Sequence, residues 1–243
     1  LGPGGGGALC DPARPARPAP PPAAPRFLDA QERIRVASRQ EFVGRRRQLQ
    51  RLRRGFAGQA TGALVHGLGN LGKSSLAARL ADRMTRHQLA VVFGQYDGLS
   101  ILAELERVAT PLLGKLFTNF KDRAAFQQEV AAMREAVRAD EAMLGEVLRF
   151  LFDGVFAAHP LLLVIDDFER ALEDPAPGQP QVLPQPDLRP ALGALLGAFA
   201  AHHGSSRLLI TSRYDFAVPD GAGADLAAGL IRVPLIGMGP RER

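Results

Sequence analysis

The sequence predicts an α/β fold, a parallel sheet covered by helices on both faces. Three observations predict it. Short apolar runs at 63–66, 89–93, 161–165, 208–211 and 231–235 are separated by stretches with helical apolar spacing. The run 161–165 is aliphatic throughout, as suits a strand buried on both faces. A glycine-rich loop at 67–74 joins one apolar run to an amphipathic segment.

Residues 1–40 open with a glycine run at 4–7 and continue in Pro and Ala with scattered Arg. Such a segment has too little apolar surface to offset the entropy of ordering it, and reads as a linker. Residues 41–243 read as one domain. A linker at the start, together with a first residue Leu1, leads us to expect a piece of a longer chain.

Within the domain, residues 45–56 set Leu49, Leu52 and Phe56 at helical spacing among arginines, an amphipathic helix. A strand at 63–66 leads into the glycine-rich loop. Residues 75–84 form a helix on Leu76, Leu80 and Met84, and 89–93 a second strand. Residues 100–158 are mostly helical, with interruptions expected near Pro111 and between Phe117 and Lys121. The third strand is 161–165, and the Pro-rich 173–190 reads as a surface loop. A helix at 191–203 and strands at 208–211 and 231–235 complete the order.

The composition is that of an ordinary globular protein, with 46% hydrophobic and 23% charged residues. The one cysteine, Cys10, forms no internal disulfide and suggests a reducing, cytoplasmic setting. The longest aliphatic run, 161–165, is far too short to cross a bilayer, so no membrane partner is expected. The net charge is +5, but only Lys73, Lys115 and Lys121 of the 30 basic residues are lysines, which points to coding bias. Nine arginines lie between Arg33 and Arg54. With no Trp, two Tyr and no DNA-reading motif, this cluster reads as the solvated face of a helix, and nucleic acid is disfavoured as a partner.

Gly67-Leu68-Gly69-Asn70-Leu71-Gly72-Lys73-Ser74 fits the phosphate-binding pattern G-x-x-x-x-G-K-[ST]. Glycines let the backbone close around phosphates, and successive N–H groups at a helix start form an anion nest. Lys73 would reach the β- and γ-phosphates, and the Ser74 hydroxyl would hold Mg²⁺. Ser75 completes the candidate nucleotide contacts. Context supports the motif, because a strand precedes it and a helix follows.

The strand 161–165 ends in Asp166-Asp167. Mg²⁺ prefers oxygen ligands and keeps several waters, so a carboxylate on a rigid strand end suits it. Asp166 is the candidate for the metal. Asp167 is the candidate to orient or deprotonate a water, with Glu169 a weaker one. A fourth apolar run ends in Thr211-Ser212-Arg213, where an arginine could stabilise γ-phosphate charge.

These residues together resemble the STAND NTPases, signal-transducing P-loop ATPases of the NB-ARC and AAA-like kind. Phe42-Val43-Gly44-Arg45, followed by Leu49 and Leu52, looks like their entrance signature. Residues 67–75 look like their P-loop, Asp166-Asp167 like their Walker B end, and Ile210-Thr211-Ser212-Arg213 like their sensor motif. The run 231–235 resembles the strand that closes the nucleotide domain. The resemblance covers roughly residues 41–240.

It implies a P-loop NTPase three-layer sandwich with strand order 5-1-4-3-2. It also implies that Val43 and Gly44 line an adenine pocket with Arg45 beside it, and that Arg213 reads the γ-phosphate. The implied function is an ATP-binding regulatory module with slow hydrolysis, an ADP/ATP switch using Mg²⁺. Sensor and effector domains would lie elsewhere on the polypeptide, and ATP would drive homo-oligomer assembly. Two departures stand out: Asn70 where the family usually has Gly, and Arg46 where it often has Glu. The helical and winged-helix subdomains that follow in the family come after the point where this sequence stops. The alternatives are a P-loop kinase-type phosphotransferase and an AAA+-like nucleic-acid-associated ATPase.

Overall fold

The computed structural model describes residues 42, 44–174 and 182–237 of the chain. The expected linker at 1–40 and the candidate adenine contact Val43 lie outside the described residues.

The first helix, α1 (Arg46–Ala57), buries Leu49, Leu52 and Phe56. It leads to β1 (Gly62–His66), followed by the glycine-rich loop and α2 (Lys73–Arg83). Next come β2 (Gln88–Phe93), α3 (Gly98–Leu116), α4 (Phe120–Ala139), α5 (Leu144–Asp153) and the short α6 (Val155–Ala158). The last elements are β3 (Leu161–Asp166), α7 (Arg189–Ala201), β4 (Arg207–Ser212) and β5 (Ile231–Pro234).

The five strands form one sheet in the order β2-β3-β4-β1-β5, all pairs parallel. This is the implied order 5-1-4-3-2 read from the other edge. The fold is α/β, the P-loop NTPase architecture. Every residue of β3 is buried, which explains its unbroken aliphatic run. One face of the sheet is covered by α1 and α2 through Leu49, Leu52, Phe56, Leu76 and Leu80. The other carries the larger core, built on α3, α5 and α7. Since β4 is inserted between β1 and β3, the carboxyl ends of all three converge, and a crevice outside strand ends is where open α/β sheets bind ligands.

Two expectations need correction. Pro111 does not interrupt a helix: α3 runs through it from Gly98 to Leu116. Pro111 is exposed, so the hydrogen bond it deletes lies on the solvent side, while Val108, Ala109, Leu112 and Leu113 stay buried and hold the helix. The Pro-rich segment is not simply a surface loop where it is described. Val182 and Pro184 are buried, and they make isolated bridges to Phe216 and Leu172 respectively. No described helix is long and apolar enough to cross a membrane.

Candidate nucleotide-binding site

The loop after β1 is held at both ends by the sheet. The Gly67 N–H donates to Ser212 O at 3.2 Å, and the Leu235 N–H donates to His66 O at 2.7 Å. Gly67 has φ 148°, and a Cβ there would sit 2.3 Å from Leu235 O, so no larger residue fits. Asn70 has φ 60°. Asparagine is among the few residues that take this left-handed conformation at low cost. Leu68, Gly69 and Asn70 form the exposed tip, and Leu71 and Gly72 lead into α2.

In α2 the first backbone bond within the turn runs from the Leu76 N–H to Gly72 O. No side chain caps the helix. The amides at its start are therefore available to an anion, and the helix dipole favours negative charge there. Lys73 is buried, and its ammonium donates to Gly67 O at 3.0 Å and Leu68 O at 3.3 Å. Its charge is thus folded back against the loop a phosphate would fill. Ser75 lies beside Ser74 in the same first turn.

Behind the lysine, Asp166 ends β3. Its Oδ1 accepts from Thr211 Oγ1 at 2.5 Å and from Ser74 Oγ at 3.1 Å. Its Oδ2 is buried with no hydrogen-bond partner among the described residues. Burial pushes this carboxyl above the usual range, against the opposing pull of those two hydroxyl bonds. A buried carboxylate oxygen with spare lone pairs, beside a serine hydroxyl, fits a hard cation with oxygen ligands.

Residues 41–211 match the family described as AAA ATPase domain. The chain belongs to the AAA ATPase domain family. Among solved structures, a Walker-type ATPase of Pyrococcus abyssi is 13% identical with a TM-score of 0.43. That alignment covers 74% of this chain and 47% of the other, so the chain spans about half that protein's length. No curated protein matches the sequence.

In this nucleotide-binding AAA ATPase domain, the residues around the loop divide into those held close to it and those turned elsewhere. Asp167 has φ 61°, unusual for a residue with a side chain. Three contacts hold it there: its N–H donates to Thr211 Oγ1 at 3.0 Å, its carbonyl accepts from Tyr96 Oη at 3.0 Å, and its carboxylate pairs with Arg170 at 3.2 Å. The Tyr96 hydroxyl is also 2.9 Å from Asp166 O, and burial raises its pKa well above the ordinary tyrosine value. Sequence reasoning missed Tyr96. Its signal was weak, a lone aromatic just past a strand end with nothing to mark its reach to β3.

Arg213 follows β4 and pairs with Glu169. Glu169 Oε1 accepts from Arg213 Nε at 2.8 Å, and Oε2 accepts from the Arg213 backbone N–H at 3.1 Å. The guanidinium also lies against the loop, since a Cβ added at Gly69 would be 3.8 Å from its central carbon. Glu169, the weaker water-orienting candidate, is thus engaged by Arg213.

Arg45, expected next to the adenine pocket, is held by backbone carbonyls on two sides. It is buried, with φ 55°, and its guanidinium donates to Ile236 O at 2.7 Å and Leu71 O at 3.1 Å. It clamps the phosphate loop to the chain leaving β5. Gly44 precedes it with φ 76°.

Proposed function

We propose that this AAA ATPase domain binds Mg-ATP, hydrolyses it slowly and works as an ADP/ATP switch of the STAND class. The observation that carries the reading is the cluster of Ser74, Asp166 and Thr211 directly behind the lysine of the phosphate loop. Ser74 and Asp166 would hold Mg²⁺, which would neutralise phosphate charge when bound. Lys73 and the amides at the start of α2 would take the phosphates. Asp167 would orient the water that attacks the γ-phosphorus and accept its proton as the bond to the β-phosphate oxygen breaks. Arg213 would meet the charge on the γ-phosphate.

Slow turnover is expected because the candidate base is an aspartate already engaged by Arg170. A switch also fits the Glu169–Arg213 pair: the γ-phosphate, but not ADP, would compete with Glu169 for the guanidinium. In this reading Gly44 and Val43 face the base, sensor and effector domains lie elsewhere on the polypeptide, and ATP favours assembly with further copies.

The test is calorimetric titration of the full chain with Mg-ATP, Mg-ADP and Mg-GTP, run beside a phosphate-release assay. Adenine-selective binding with slow turnover is expected. Lys73→Ala should weaken binding by about 100-fold or more, close to 3 kcal/mol. Fast turnover with transfer to an added acceptor would replace the switch by a phosphotransferase.

A further inference from the structure

The arginines of α1 contrast with most of those on α2, α3, α4 and α5, although Arg83 on α2 and Arg123 on α4 also have no ion pair among the described residues. On α3, Arg107 pairs with Glu104 at 2.8 Å; on α4, Arg138 pairs with Glu135 at 2.8 Å; on α5, Arg149 pairs with Glu146; on α2, Arg79 pairs with Asp82 at 3.6 Å. In each case the acid stands three residues away. Helix α1 carries Arg46, Arg47, Arg51, Arg53 and Arg54, all exposed, and contains no Asp or Glu. None of these five makes an ion pair among the described residues. Coding bias would enrich arginine everywhere, but it does not explain why five arginines gather on one helix with no acid among them.

The geometry organises these charges. Leu49, Leu52 and Phe56 face the core. By the 3.6-residue period, Arg47, Arg51 and Arg54 fall on the opposite, outward side, with Arg46 and Arg53 together along one border between that side and the core. Neighbours three and four residues apart stand about 5–6 Å from one another. Like charges at that spacing work against the helix, so fold stability does not account for the row.

We propose that this face of α1 is a sequence-independent binding surface for the phosphate backbone of nucleic acid. The structure thus assigns a partner to a cluster that the sequence presents as a solvated face. Guanidinium groups match phosphate oxygens with paired donors, and a row of them can engage successive phosphates of one strand. The face has no large apolar residue to insert into a membrane. It also lacks the aromatic and apolar centre of a protein interface.

The test measures binding of the full chain to a short DNA duplex and to a single strand across a salt series. It compares wild type with the triple variant Arg47→Gln, Arg51→Gln, Arg54→Gln. A second triple variant, Arg107→Gln, Arg138→Gln, Arg149→Gln, removes the same charge from paired positions. Wild type should bind at low salt, with log K against log salt falling at a slope of about −3 or steeper. The α1 variant should lose about three units of slope and at least tenfold in affinity. Its thermal midpoint should be unchanged or higher, since Gln favours helix and the repulsion is gone. The second triple variant should bind like wild type. No binding by wild type, equal binding by the α1 variant, or equal loss in both variants would each overturn the proposal. Binding to anionic phospholipid vesicles in place of DNA would overturn it in favour of a membrane.

Discussion

Thr211 donates its hydroxyl hydrogen to Asp166 Oδ1 across 2.5 Å, and the same Thr211 oxygen accepts the Asp167 N–H at 3.0 Å. One side chain on β4 therefore orients one carboxylate at the end of β3 and fixes the backbone of the next. Its register partner on β1 is Val65, which places it between the phosphate loop and the acids.

Thr211→Val keeps the shape of the side chain and removes both bonds. It leaves the Asp167 N–H without its acceptor and Asp166 with the Ser74 hydroxyl alone. The expected cost is about 1–3 kcal/mol in unfolding free energy. Phosphate release should fall more than Mg-ATP affinity does. Denaturant unfolding and calorimetry together separate the two effects; unchanged turnover would show that Asp167 needs no such anchor.

Asp166→Asn tests the strain of a buried acid. Burial raises its folded-state pKa, so its contribution to stability is fully present below the ordinary carboxylate pKa and is lost as pH rises through the raised value. Near neutral pH the ligand-free variant should therefore equal or exceed wild type, by about 1 kcal/mol or roughly 2–4 °C in midpoint. The gain should shrink as pH falls. Mg²⁺-dependent strengthening of ATP binding should disappear in the same variant.

At Asp167, two replacements divide chemistry from backbone. Asparagine tolerates the left-handed conformation, whereas alanine there costs about 1–2 kcal/mol. Both should slow hydrolysis by roughly 100-fold or more, within the range of a lost general base. Mg-ATP binding should survive in both, and only alanine should lower the midpoint. Loss of binding in the asparagine variant would mean that Asp167, not Asp166, holds the metal.

Tyr96→Phe keeps the edge-on ring contact with Phe168, whose centroid is 5.5 Å away, and deletes the hydroxyl shared by the Asp166 and Asp167 carbonyls. A loss of about 1 kcal/mol in stability is expected. A drop in kcat of about tenfold with KM little changed would mark Tyr96 as positioning Asp167. Equal effects on both parameters would indicate a general loosening of the loop.

By itself, the sequence determined the strands, their parallel arrangement through alternation with helices, and the glycine-rich loop that joins β1 to α2. These are local matters: an apolar run, a 3.6-residue stripe and a glycine pattern each carry their physics within a few residues. The helix 45–56 shifted by one residue, because Arg45 is the left-handed residue before α1. Tertiary structure decided what depends on strand order. It brought Thr211 to Asp166 across 45 positions and Tyr96 to the same strand end across 70. It engaged Arg213 with Glu169, and it buried Arg45 against Leu71 and Ile236, 191 residues away in the last case. It also kept α3 whole through Pro111, since the packing of one apolar face outweighs a single lost bond on the other. The resemblance implied the strand order, but no local pattern of residues specifies which side chains meet across it.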